Sequence, residues 1–410
     1  MQSRNYRLFF VGQIISLVGT WMTQTASLWL VYHLSSSPFL LGAVGFASQA
    51  PIFLLAPLAG VMADRLNRHR LLIFTQVLSM LQSFALAALA FSGHITPAWL
   101  IGLSFVQGAI NGVDIPTRQA LVIAFVERRE HLGNAIALNS SMFNLARLIG
   151  PAIGGFVVAA YGAAACYAID GISYAAVILS LLAMRLNFPP RREARHPMIE
   201  LREGFVGVFA FRPMRVLIIT LAVVSAVGFS YTVLTPMFAR DVFGGDARVL
   251  GYLMSASGIG ALVGAVYLST RVTIRGLGKV VALGSGLMGA GLLGFGCSRV
   301  LMVSLVCLAV VGLGGVLTMA SSNTLMQSIV EEERRGRVMS IFTMAFTGTM
   351  PVGNLLAGWV AGRAGPTITL IASSIVCIGV GIIFYFKLPR LRADAAPVLA
   401  RIAPIEATPQ

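Results

Sequence analysis

Apolar runs of about 20 residues recur along this chain, separated by short polar breaks rich in arginine. A helix rises about 1.5 Å per residue, so each run is long enough to cross ~30 Å of hydrocarbon. The pattern predicts crossings over 8–33, 39–63, 71–93, 98–120, 134–160, 164–186, 214–239, 249–270, 279–297, 301–327, 339–361 and 366–387, twelve in two groups of six. The first is no signal peptide, because it is too long and lacks a small-residue cleavage site before a polar start. The longest break, Asn187 to Arg215, opens on Pro189-Pro190. It then sets Leu201, Phe205, Val208 and Phe209 at helical spacing beside Glu200, Arg202 and Glu203, as in a helix lying on a membrane surface. Residues 1–186 and 214–388 are therefore expected to form two six-helix bundles. Residues 187–213 would be a cytoplasmic linker with an amphipathic helix, and 389–410, rich in Ala and Pro, a disordered cytoplasmic tail.

Composition agrees with the pattern. The chain has 410 residues, 57% hydrophobic and 11% charged, where a soluble protein carries roughly 25% charged residues. A net charge of +15 would suggest nucleic acid in a soluble protein. Here no stacking aromatics interleave the basic runs, so no nucleic-acid partner is expected, and the charge reads as topology instead. With the N-terminus inside, alternate breaks hold Arg4, Arg7, Arg65, Arg68, Arg70, Arg128, Arg129, Arg271, Arg275, Lys279, Arg334, Arg335 and Arg337. The others hold only Arg240, Arg248, Arg299 and Arg363. The positive-inside bias places both termini in the cytoplasm.

Four scattered cysteines and five unclustered histidines give no ligand spacing and no nucleophile–base pair. No metal, no cofactor and no enzyme chemistry are expected. What remains is charge inside the apolar runs. Arg147 lies in "NLARLIGPAIGG", about 20 Å from the inner end of its helix and hence near the midplane. A charge there must face a cavity or a counter-ion rather than lipid. Asp114 and Asp170 are the acids well inside crossings. Arg118, four residues beyond Asp114, offers that acid a local helix pair, and either acid is a candidate partner for Arg147. Asp114, Arg147 and Asp170 are the expected coupling charges, with a static interhelix tie as the plain alternative for Arg147. Gln24, Gln107, Asn111, Asn144, Tyr231, Thr235 and Asn323 are polar residues near mid-crossing that are candidates for lining a substrate cavity.

The two halves repeat. "LVIAFVERREHLGNAIAL" (121–138) aligns with "LMQSIVEEERRGRVMSIF" (325–342) at an offset that also pairs Gly60 with Gly264 and Gly154 with Gly358. Repeated halves in a membrane protein point to a transporter with its site at the repeat interface. "GVMADRLNRHRLL" (60–72), between the second and third crossings, resembles the loop signature of the major facilitator superfamily. Gly150-Pro151-Ala-Ile-Gly154-Gly155 resembles that family's antiporter motif. Together with "DIPTRQAL" and "RRGRVMSIF", these stretches are similar to a bacterial branch that includes enterobactin exporters and macrolide efflux proteins.

The resemblance implies an all-α membrane protein of twelve transmembrane helices in two pseudo-symmetric six-helix bundles. It implies secondary active export of a small molecule, a siderophore or a hydrophobic drug such as a macrolide, across the bacterial inner membrane. It implies protons as the coupling ion, no cofactor, and a monomer in the lipid bilayer. It also implies a cytoplasmic latch of Gly60, Asp64, Arg65 and Arg68, with Asp64 reaching Arg118 and the start of the eleventh crossing. In the second half Leu268 replaces the acid. The chain departs from drug–proton antiporters at Ser104, where they carry arginine, and in a first crossing without an acid. A lipid or lysolipid flippase and a non-transporting membrane sensor are the other readings.

Overall fold

The computed structural model of the protein describes residues 4–125, 132–184, 207–271, 273–330 and 332–402. Among them every regular element is a helix: α1 (Arg4–Ser35), α2 (Pro38–Arg65), α3 (Arg68–Phe91), α4 (Pro97–Phe125), α5 (Leu132–Tyr161), α6 (Ala163–Leu182), α7 (Arg212–Val223), α8 (Tyr231–Met237), α9 (Ala247–Ser269), α10 (Leu277–Cys297), α11 (Leu301–Ser328), α12 (Glu332–Thr347), α13 (Met350–Ala364) and α14 (Pro366–Ile402). Only closed backbone hydrogen bonding suits hydrocarbon, which is why apolar runs of this length become helices. The connections between them are short and chemically marked. Asn67 caps α3 by accepting from the His69 and Arg70 amides. Gly162 alone joins α5 to α6, at a φ of 81° that a side chain would resist.

Among the described residues eleven helical stretches are long and apolar enough to cross a membrane. The remaining expected crossing, 339–361, is divided into α12 and α13 at Gly348–Thr349. Pro351 follows in the first turn of α13 and has no amide to continue α12. Thr349 Oγ1 donates to the carbonyls of Ala222 and Ala345, at 3.0 and 2.8 Å. The seventh crossing is also longer than its apolar run suggests, Arg212–Val242. Two π-helical segments, Val224–Gly228 and Phe238–Val242, interrupt it on either side of α8.

Residues 389–402 of the expected tail lie in a helix, and 403–410 lie outside the described residues. α14 runs unbroken through Pro389 and Pro397 to Ile402. Leu388, Leu391 and Ala395 are buried in an apolar cluster with Met214, Leu217 and Phe384, and Arg212 reaches Asp394 at 3.8 Å. Burial of one face offsets the loss of hydrogen bonds at the prolines. The surface helix expected in the linker lies largely outside the described residues, although Val208 is fully buried in that same cluster.

The chain divides into two compact units. The first is Met1–Ala194 with Thr232–Gly258 and Asn354–Pro366. Within it α1 packs on α5 and α6, α3 on α4 and α6, and α2 on α4. Tyr6, Phe9, Leu72, Leu121, Met142 and Leu181 close its proximal end, the end at which α1 begins. The second unit is Arg195–Tyr231 with Ile259–Gly353 and Thr367–Gln410. Its α10 and α11 lie backbone to backbone, Gly284 against Gly314 and Gly291 against Cys307. Small residues let helices approach closely where lipid supplies no hydrophobic force between them.

Candidate functional site

Asp170 is 1% exposed, seven residues into α6, so its carboxyl lies inside the first unit. Thr23 on α1 and Ser83 on α3 each donate to Oδ2 at 2.9 Å. Ser173 bonds the Asp170 carbonyl at 2.7 Å and lies 3.5 Å from Oδ1. Gly19 makes the room: a Cβ there would stand 2.6 Å from Oδ1 and 3.2 Å from the Asp170 Cα. Gly19→Val is expected to destabilise the protein by about 1–3 kcal/mol, the usual cost of overpacking. Thermal unfolding in detergent checks this, and an unchanged midpoint would mean that the carboxyl has space to retreat.

Asp114, 3% exposed, sits lower on α4. Thr75 Oγ1 and Gln76 Nε2 donate to its Oδ1 at 2.8 and 2.6 Å. Arg118 Nη2 lies 3.1 Å from Oδ2, so the local helix pair is formed. Both acids thus lean on one face of α3. That face, with Thr75, Gln76, Ser79, Gln82 and Ser83 all at most 5% exposed, was not among the sequence candidates. Its signal was polar residues recurring at helical spacing in an otherwise apolar crossing.

Arg147 stands apart. Among the described residues it forms no ion pair, and the anticipated pairing with Asp170 or Asp114 is absent. The reason is chemical: hydroxyls satisfy one acid, and Arg118 already faces the other. The half-buried Arg147 guanidinium instead lies over the Trp21 ring, 6.0 Å from its centroid. Trp21 in turn meets Phe143 edge to face at 5.8 Å.

The residues after Arg147 place α5 between two neighbours. Gly150 and Gly154 face α1, where added Cβ atoms would stand 2.5 Å from Trp21 Cβ and 2.8 Å from Met22 Cα. Gly155 faces Ala247 and Gly251 on α9, and a Cβ on Gly251 would reach the Pro151 carbonyl at 2.5 Å. At the distal end of the same unit, Tyr32 donates to Asp241 and Arg240 donates to the Tyr32 carbonyl and Ser36 Oγ at 3.2 Å. Asp241, beyond the expected end of the seventh crossing at 239, belongs to the π segment that ends it. α2 meets α13 there as well, Gly42 against Gly358.

The other candidates divide. Gly60, Asp64 and Arg65 end α2, but their side chains lie outside the described residues; Arg68 opens α3. Gln107 donates to Ser79 at 3.1 Å and to Asn111 at 3.2 Å. Gln24 is half-buried. Asn144 bonds back to the Ser140 carbonyl at 2.9 Å, and Asn323 accepts from Gln327 on its own helix. Tyr231 and Thr235 are buried, at 1% and 0% exposure. Among the described residues no cluster of three metal-ligating side chains occurs.

Comparison with known proteins matches this geometry to a family. The profile described as transmembrane secretion effector matches residues 1–407. The chain is 28% identical over 386 residues to the staphyloferrin A transporter of Staphylococcus aureus (strain NCTC 8325 / PS 47), covering 93% of this chain and 95% of that one. It is 26% identical over 404 residues to the multidrug efflux pump Tap of Mycolicibacterium fortuitum, covering 94% and 96%. To the enterobactin exporter EntS of Shigella flexneri it is 25% identical over 391 residues, covering 94% and 92%. Among solved structures, a POT family transporter in complex with 5-aminolevulinic acid superposes with a TM-score of 0.75 at 12% identity, over 95% of this chain and 97% of that one. A bacterial homolog of the human lysosomal transporter Spinster gives 0.73 at 13%, over 95% and 97%. These structures share the fold.

Proposed function

We propose, from the premise that this chain belongs to the transmembrane secretion effector family of the major facilitator superfamily, that it exports an anionic small molecule of the siderophore class across the bacterial inner membrane. One observation carries the reading. Arg147 is a half-buried cation with no ion pair among the described residues, whereas both intramembrane carboxyls are buried and already hydrogen-bonded. An anion gains a charge-assisted contact at Arg147, with Trp21 and Phe143 as an aromatic floor. A cationic drug is repelled there and finds neither acid open to it. Two of the relatives are named for siderophores, which supports the same choice.

Export runs by alternating access coupled to protons, with Asp170 and Asp114 as the proton-bearing groups. The α5–α9 contact at Gly155 and Gly251, with the Tyr32–Asp241–Arg240 network, seals the distal face in one state. Gly60, Asp64, Arg65 and Arg68 latch the proximal face in the other. The arginine bias puts both termini in the cytoplasm, and the transporter works as a monomer. Everted vesicles containing the protein are expected to accumulate labelled enterobactin, to lose it on adding a protonophore, and to ignore a labelled macrolide. Accumulation of the macrolide instead, or uptake indifferent to the protonophore, would overturn the substrate class or the coupling respectively.

A further inference from the structure

Asp114 and Asp170 lie against opposite ends of one buried polar face. Their surroundings connect them. Asp114 is bonded to Thr75 and Gln76 at one end of the α3 polar face, and Asp170 to Ser83 at the other. Gln76 to Ser83 is seven residues, or about 10 Å of helical rise, a third of a ~30 Å bilayer core. Ser79 lies between them. It accepts from Gln107 at 3.1 Å and lies close to the Tyr174 hydroxyl, which is 3.4 Å from Thr20 Oγ1. Tyr174 is four residues from Asp170 on α6 and lies within electrostatic reach of both acids. Ser79 and Tyr174 therefore form a midpoint about one helical turn from each carboxyl.

Two further atoms belong to residues of this network. Gln76 Oε1 and Gln107 Oε1 are buried and accept no hydrogen bond. Each belongs to an amide whose nitrogen is committed, one to Asp114 and the other to Ser79 and Asn111. Buried acceptors of this kind are normally satisfied by an internal water. Successive groups four residues apart on a helix are separated by about 6 Å of rise, close to two ~2.8 Å hydrogen bonds through one water oxygen.

We infer that the buried face of α3 is a proton path that joins Asp114 to Asp170 through Ser79, Tyr174 and internal waters, so that the two carboxyls share one proton. The inference rests on the proton-coupled reading above. In the transfer, Ser83 gives its hydroxyl proton to Asp170 Oδ2 and takes one from a water. That water is resupplied through Ser79 and Tyr174, and the last proton leaves the Asp114 carboxyl. One O–H bond breaks and one forms at each relay oxygen. The net change is one proton moved, with the negative charge left on Asp114 facing Arg118. The reverse sequence returns it. Among the described residues the ionisable groups beside the two acids are Cys166 and Tyr174 on α6 and Arg118 on α4. No cation faces Asp170 among the described residues, so a charge there stands far from compensation while one on Asp114 does not.

The test is a pH jump on the purified full-length protein in lipid, following the infrared carbonyl band of protonated Asp170, assigned by its loss in Asp170→Asn. Ser79→Ala is expected to slow protonation of that band at least tenfold, and Ser79→Thr, which keeps the hydroxyl, to restore it. Tyr174→Phe is expected to slow it as well, and serves if Ser79→Ala does not fold. Wild-type rates in both Ser79→Ala and Tyr174→Phe would overturn the path. Failure of enterobactin transport to respond to a pH gradient in the wild type, alongside a slowed band in Ser79→Ala, would remove the coupling and leave the path standing.

Discussion

Arg147→Ala is expected to cost roughly 10- to 150-fold in affinity for an anionic siderophore and to leave the protein folded. A hydrogen bond to a charged group contributes about 1.5–3 kcal/mol, and each 1.4 kcal/mol is tenfold. The fold should survive because Arg147 forms no ion pair among the described residues, so its removal leaves no carboxylate buried without a partner. The measurement is the concentration dependence of enterobactin uptake into everted vesicles. Arg147→Lys should retain part of the affinity, since it keeps a point charge but loses the planar fork. Arg147→Glu should reverse the preference toward cations. Unaltered enterobactin kinetics in Arg147→Ala would reduce Arg147 to a tie between α5 and α1 through Trp21.

The second large effect concerns the distal seal. Any side chain at Gly155 meets the Ala247 carbonyl, and its Cβ would lie 3.0 Å from the Gly251 Cα. Both obstacles are backbone, so neither can swing aside. Gly155→Val is expected to disfavour the closed distal face by about 1–3 kcal/mol, a population shift of roughly 5- to 150-fold. The readout is alkylation of Ser255→Cys by an impermeant maleimide added from the distal side, in a background without the native cysteines. Ser255 is 8% exposed on α9 between Gly251 and Gly258. Labelling should rise in Gly155→Val while transport falls. Unchanged labelling would mean that α5 and α9 part elsewhere.

The crossings were readable because hydrocarbon thickness imposes a length, and Arg147 stood out because charge in lipid is costly. The glycines of the 150–155 motif announced close packing, though not that two of them serve α1 and a third α9. The limits of the sequence show at α14, where a stretch rich in Ala and Pro was expected to be disordered and a tertiary cluster carries the helix through Pro389 and Pro397. They show again at Asp170. Thr23 and Ser83 are 147 and 87 residues away in the chain, and hydroxyls in crossings are too common to nominate one as a partner. An acid and a base in the same apolar region invite pairing by charge alone. Three hydroxyl-bearing neighbours were enough to remove the need for it. The α3 face went unread for a similar reason, since each residue is ordinary and only their shared direction, with Asp114 and Asp170 at its ends, gives them meaning.

The side chain of Arg147 lies over Trp21 on α1, while a Cβ on Gly258 of α9 would stand 3.2 Å from the Arg147 carbonyl. The same residue is thus handle on one side of the helix and bearing surface on the other. A molecule that draws the guanidinium off its ring would act directly on the α5–α9 contact, with no intervening chain of residues to carry the strain. Under the proposed function, selection of cargo and release of the distal contact would then be a single mechanical event, one residue deep. On that reading, a change that widens the choice of cargo at this position would also reset the threshold at which the distal contact yields.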